Sequence, residues 1–167
     1  GHRSIIDYFA GDRKERFKVI YEPFESATLP SGLEYDLIFT SPPFFDLEVY
    51  TDVEGQSLIS HSDGKDWLVK FLFASLKKAW SALRVDGHMV IHITNTGTLN
   101  ICEPMVLYCS WKLRGCDFLG VLSSRGGAGV ERPMWVFHKT SSSPNRSKSE
   151  RVLKEYHREI YDLCKSS

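Results

Sequence analysis

An α/β domain with a mainly parallel sheet and a closing antiparallel hairpin is what this sequence predicts, on three observations. Short apolar runs of strand length alternate with longer stretches whose apolar residues recur at helical spacing. The run Tyr35–Thr40, YDLIFT, reads as a continuous apolar strand, the pattern of one covered on both faces. The last two strand-like runs follow one another with no helix between them, which makes them a hairpin.

Each element has its own warrant. Residues 3–10, RSIIDYFA, read as a short helix. Phe17–Tyr21, FKVIY, is a short β-branched run and reads as a strand before Tyr35–Thr40. From Asp66 to Leu83 the apolar positions are Trp67, Leu68, Phe71, Leu72, Leu76, Ala79, Trp80 and Leu83, with Lys70, Lys77 and Lys78 outside that stripe. This is a long helix, and Trp67 and Trp80 belong to the core. Asp86-Gly87 is read as its stop. HMVIHIT, His88–Thr94, follows as a buried strand, in which His92 reads as a hydrogen-bonded core histidine. Glu103–Leu113 is a second helix, with Pro104 tolerated in the first turn and Gly115 at its end. CDFLGVLSS and PMWVFHK are the hairpin strands, joined by RGGAGVER.

Residues 3–139 make one domain on this reading. The polar run 140–149, TSSSPNRSKS, is a linker. Residues 150–167 form a closing helix, opened by the capping-box pair Ser147 and Glu150. Its stripe of Val152, Tyr156, Ile160 and Leu163 docks on the domain or on a partner, while its mixed charges face solvent.

Composition sets the bounds. The chain has 167 residues and a formal net charge of zero, so no global basic field advertises a nucleic-acid partner. No apolar run approaches the ~18 residues of a membrane span, and the N-terminus lacks a signal-peptide pattern. Both point to an intracellular protein, cytoplasmic or nuclear. Cys102, Cys109, Cys116 and Cys164 form no CxxC pair and no metal-ligand spacing, so they read as reduced thiols and no metal is expected.

The chemistry is expected where Tyr35–Thr40 ends. Ligands of open parallel sheets sit beyond the carboxyl ends of the strands. Here the strand runs into Ser41, Pro42, Pro43 and Phe44. Two prolines remove two N–H donors, so the turn's carbonyls and the serine hydroxyl can accept hydrogen bonds from an NH₂ group. The aromatic ring next in sequence offers a planar base a face to stack on. Thr94 and Asn95, at the carboxyl end of the next strand, face the same crevice. Arg125, Arg132 and Lys139 around the hairpin are candidates for phosphate contacts, with plain surface solvation as the competing reading.

Thr40 to Phe44, Thr-Ser-Pro-Pro-Phe, resembles motif IV of the class I amino-methyltransferases, which use S-adenosylmethionine to methylate exocyclic nitrogens. The form is most similar to that of N4-cytosine DNA methyltransferases and some N6-adenine enzymes. The resemblance spans about residues 17–139 and implies a Rossmann-like fold, S-adenosylmethionine as cofactor and a nucleic acid, DNA or RNA, as substrate. It assigns Ser41, Pro42, Pro43 and Phe44 to the catalytic turn. In PFESATLP it makes Glu25 the best match for the acid that contacts the cofactor's adenosine, with Glu22 as runner-up, and places Phe24 and Thr40 beside the cofactor. Asp46 and Glu48, in the loop after the motif, would position the substrate. A solvated acidic loop is the other reading of that pair.

The sequence departs from the family in one respect. No Asp/Phe-x-Gly-x-Gly loop lies before residue 17, and RGGAGV (125–130) joins two late strands without opening a helix, so it reads as a hairpin loop. The fold is therefore expected to be incomplete at the N-terminus, with that motif upstream of Arg3 or lost. The alternatives are an RNA or cap base N-methyltransferase, a catalytically inactive methyltransferase-like module that binds nucleic acid or a partner, and a small-molecule or protein N-methyltransferase.

Overall fold

The apolar stripe that begins at Trp67 is realised as one continuous helical stretch. In it α1 (Gly64–Asp66), a π-helical segment (Trp67–Phe73) and α2 (Ala74–Ala82) follow without a break. Asp63 opens the stretch, its carboxylate accepting from the Lys65 N–H at 3.3 Å. Trp67, Leu68, Phe71, Leu72, Leu76, Ala79 and Trp80 are all buried, as their spacing predicts. The wider i→i+5 hydrogen bonding of the π segment is the one feature of this helix that the stripe does not announce.

The protein is described by a computed structural model that covers residues 18–32, 34–43, 45, 63–125 and 131–141, and in residues 124, 125, 131 and 132 the backbone only. The helix expected at 3–10, Phe44, Asp46, Glu48, the hairpin loop 126–130 and the tail from 142, with its linker and stripe, lie outside the described residues.

Among the described residues four strands form one mixed sheet: β1 (Tyr35–Thr40), β2 (Leu83–His92), β3 (Cys116–Arg125) and β4 (Glu131–Lys139), in the order β1-β2-β4-β3. β1 is parallel to β2, while β4 is antiparallel to both β2 and β3. The sheet is α/β but not mainly parallel among the described strands. The physical reason is that the expected strand at Phe17–Tyr21 does not form over Lys18–Tyr21, which leaves β1 with one parallel partner among the described strands and lets the hairpin dominate there.

Two further expectations are corrected. Asp86-Gly87 does not stop the helix, which has already ended at Ala82, with Leu83 extended at ψ 133. The pair instead sits in an irregularity of β2, between the pairings Tyr35↔Leu83 and Leu37↔His88. Asp86 takes φ 65, the conformation that helix caps and bulges share. A Cβ on Gly87 would meet the Leu83 side chain at 2.8 Å and the Arg84 carbonyl at 3.0 Å, so this approach needs glycine. An exposed Arg84–Asp36 ion pair ties the same ends of β2 and β1 together.

The second correction concerns β1. It is not covered on both faces: Leu37 is 58% and Phe39 60% exposed, whereas Ile38 packs against the core. Register explains the split. Ile38 and Thr40 pair with Met89 and Ile91, whose side chains are fully buried, while Leu37 and Phe39 pair with His88 and Val90 on the opposite face.

The core lies between that inner face and the helices. Met89 pairs with Phe137 and Ile91 with Trp135, and Phe118 stands next to Phe137 on β3. All five are buried in one cluster with residues of the π segment, α2 and α3 (Cys102–Lys112). Gly115, at φ 69, ends α3 where the sequence expects it. Trp135 Nε1 donates to the Ile93 carbonyl at 2.9 Å, and Trp80 Nε1 to that of Arg114 at 2.9 Å, so both indoles keep their polar edge satisfied.

Candidate functional site

Parallel pairing brings two strand ends together. Because Thr40 lies opposite Ile91, the next residues, Ser41 and His92, become neighbours. Ser41 Oγ lies 3.1 Å from His92 Nδ1, a hydrogen bond in which either can donate. Ser41 is exposed and His92 half-buried. The turn after Ser41 is held from below: Pro42 is buried, and Phe45 is buried with its ring set edge-on to Trp67 at 5.7 Å between centroids. Trp67 opens the π segment, so the helix anchors the turn while the serine stays at the surface. Pro43 is half-buried between the two anchors.

This arrangement can accept hydrogen bonds. A serine hydroxyl at a strand end commonly accepts from an N–H two residues on. Pro42 and Pro43 have none, so the backbone that follows makes no such claim on Ser41 Oγ.

At the carboxyl end of β2, Thr94 and Asn95 are half-buried. Asn95 Oδ1 accepts from the N–H groups of Ile101 and Cys102, both at 2.8 Å, and so holds the 95–101 loop to the start of α3. Thr96 Oγ1 adds an acceptor for the Leu99 N–H at 3.1 Å.

The residues assigned to the cofactor lie on another loop. Phe24 is exposed and Glu25 half-buried, in a tight turn where the Pro23 carbonyl accepts from Ser26 and Ala27 at 3.0 and 2.8 Å. Lys78 of α2 donates to the Ala27 carbonyl at 2.7 Å and fixes this turn to the helix. Glu22, the runner-up acid, accepts from the Thr28 N–H at 3.3 Å and thereby closes its own loop. An acid and a ring are what the motif resemblance asks for at the adenosine end of S-adenosylmethionine, and both side chains lie on this one turn. The methionine end finds no match: among the described residues no glycine-rich turn leads from a strand into a helix. The described residues therefore do not fit the whole cofactor.

Lys139 is not a phosphate contact. Its ammonium donates to the carbonyls of Trp80, at 2.9 Å, and Leu83, capping the end of α2. Burial lowers its pKa, and the nearby Glu34 carboxylate partly offsets this. Cys102, Cys109 and Cys116 are buried free thiols, as expected. Burial pushes Cys109 well up, with Cys116 adding to it, and burial followed by Asp117 raises Cys116. No group of three or more His, Cys, Asp or Glu side chains among the described residues could hold a metal ion. No helix there is long and apolar enough to cross a membrane.

His92 is hydrogen-bonded, as the sequence reading expects, but it is half-buried at a strand end and is not part of the core. Its signal was available: consecutive parallel strands that both carry polar residues at their carboxyl ends place those residues side by side.

No protein-family model matches the sequence, and no curated protein does. Solved structures overlap it in part. TTHA0409 from Thermus thermophilus, provisionally assigned as a DNA modification methylase, shares 18% identity over 77% of this chain at a TM-score of 0.47. The N-methyltransferase NodS from Bradyrhizobium japonicum shares 10% over 81% of this chain at 0.45. The chain spans 58% of the first of these and 68% of the second. At such scores the overlaps fix neither reaction nor substrate.

Proposed function

We propose that this chain carries the target-amine side of an S-adenosylmethionine-dependent N-methyltransferase of Rossmann-like fold, acting on an exocyclic amine of a nucleic-acid base, with DNA ahead of RNA. One observation carries the reading: an exposed serine hydroxyl at the carboxyl end of a parallel strand pair, on a proline turn anchored by Pro42 and Phe45. The resemblance of Thr40–Phe44 to motif IV supplies the chemistry. In this reading Ser41 Oγ and the Pro42 carbonyl accept from the amine and orient its lone pair, so positioning and electrostatics do most of the work. Phe44 stacks on the base, and a duplex target is flipped out to reach it. Asp46, Glu48, Thr94 and Asn95 line the substrate side, and Glu25, Phe24 and Thr40 the adenosine side. Such an enzyme works inside the cell, where its substrate is.

The test is methyl incorporation into single-stranded DNA and RNA from methyl-labelled S-adenosylmethionine. Ser41→Ala should lower the rate roughly 10–100-fold with an unchanged melting temperature. Full turnover in that variant, or a loss that tracks unfolding, would show the turn to be scaffold. A second reading, a binding module without catalysis, is favoured by the missing match for the methionine end. Base binding with no methyl incorporation would select it.

A further inference from the structure

We infer that His92 holds Ser41 Oγ as a pure hydrogen-bond acceptor and thereby makes the site select amino-bearing over keto-bearing bases; this rests on the amine-site reading above. A hydroxyl has one hydrogen and two lone pairs, so where the hydrogen points decides what the oxygen offers a ligand. His92 Nδ1 is 3.1 Å from Ser41 Oγ. A neutral imidazole protonated on Nε2 presents a lone pair at Nδ1 and takes the serine hydrogen. The commonest donor to such an oxygen, the N–H two residues on, is missing, because that residue is Pro43.

In that tautomer the exposed Oγ has its hydrogen turned toward His92 and its lone pairs left for a ligand. An exocyclic NH₂ finds an acceptor there. A keto oxygen at the same place meets lone pairs and stays unpaired, at the cost of its lost hydration. The opposite tautomer would reverse the outcome: Nδ1–H would donate to Ser41, the hydroxyl hydrogen would swing outward, and a keto group would be preferred.

The probes are cytidine and uridine 5′-monophosphates, which share sugar and phosphate and differ at the amino or keto position. Binding is read by amide chemical shifts of residues at the β1 and β2 ends, at one mildly alkaline pH. The wild-type protein should prefer the cytidine nucleotide by about 3- to 10-fold, the value of one hydrogen bond. His92→Gln, whose side-chain oxygen can still accept from Ser41, should keep that preference, whereas His92→Phe and Ser41→Ala should lose it. Nitrogen shifts of the wild-type ring should show Nδ1 unprotonated, a measurement that stands even where a variant fails to fold. Equal or reversed preference in the wild type, an unchanged preference in Ser41→Ala or His92→Phe, or a protonated Nδ1 overturns this inference alone. Absence of binding by either nucleotide at these strand ends overturns the amine-site reading and this inference with it.

Discussion

The two faces of the sheet are written by the same alternation and meet opposite fates. On the inner face Met89, Ile91, Phe118, Trp135 and Phe137 are at most 2% exposed beneath the helices. On the outer face Leu37, Phe39 and Leu122 are as apolar, yet 58–60% exposed. Apolar character in a strand therefore shows that a side chain could be covered, and only the layer packed against it decides whether it is. The inner face has the π segment, α2 and α3; no described element packs on Leu37 and Phe39.

The contrast breaks first at its centre. Trp135→Ala should cost about 3–5 kcal/mol by chemical denaturation, since it empties a fully buried site and removes the donor to Ile93. A loss under about 1 kcal/mol would mean that the inner layer is loosely packed.

Alkaline pH should come next. Cys109 and Cys116 lie in the inner layer, and the fold raises both thiols. In the unfolded chain a thiol ionises near about 8.5. Above that pH the folded state binds more protons than the unfolded state, so stability falls as pH rises. Each thiol contributes roughly 1.4 kcal/mol per pH unit, about 2 kcal/mol by pH 10. Lys139 acts the other way and more weakly. Its lowered pKa lets the folded state release a proton earlier, which adds stability as pH climbs towards its unfolded value. Unfolding free energies measured between neutral pH and pH 10 should fall in the wild type and flatten in Cys109→Ala with Cys116→Ala. A flat wild-type profile would place the thiols in contact with water.

The smallest effect sharpens the comparison from the outer face. Leu37→Ala and Phe39→Ala should each change stability by no more than about 0.5 kcal/mol. A loss above about 2 kcal/mol in either would show that something covers this face in solution.

The same contrast explains what the sequence could tell. Helical spacing gave Trp67 to Trp80, because a helix facing one core records that core in its period, whereas the helix read at Glu103–Leu113 was legible from its ends, Pro104 in the first turn and Gly115 just beyond. The hairpin strands were legible for a similar reason. The cover over β1 was not, since an apolar strand reads alike whether or not a layer lies upon it. Asp86-Gly87 misled because helix caps and bulges ask for the same backbone conformation. At the site, the proline turn was visible in the sequence itself. The Ser41–His92 contact joins positions 51 residues apart, so it follows only from strand register.

The place of β4 in the sheet has a consequence for the growing chain. Last of the four strands in sequence, it lies between β2 and β3. As the ribosome releases the polypeptide, β2 therefore keeps an edge bare of any described strand, and β3 has no neighbour among the described strands, until Glu131–Lys139 has emerged. A nascent chain stalled before that point presents unpaired strand edges, the template on which chains cling to one another. The arrival of this final strand closes the seam, and chaperone holding would matter most in the interval before it.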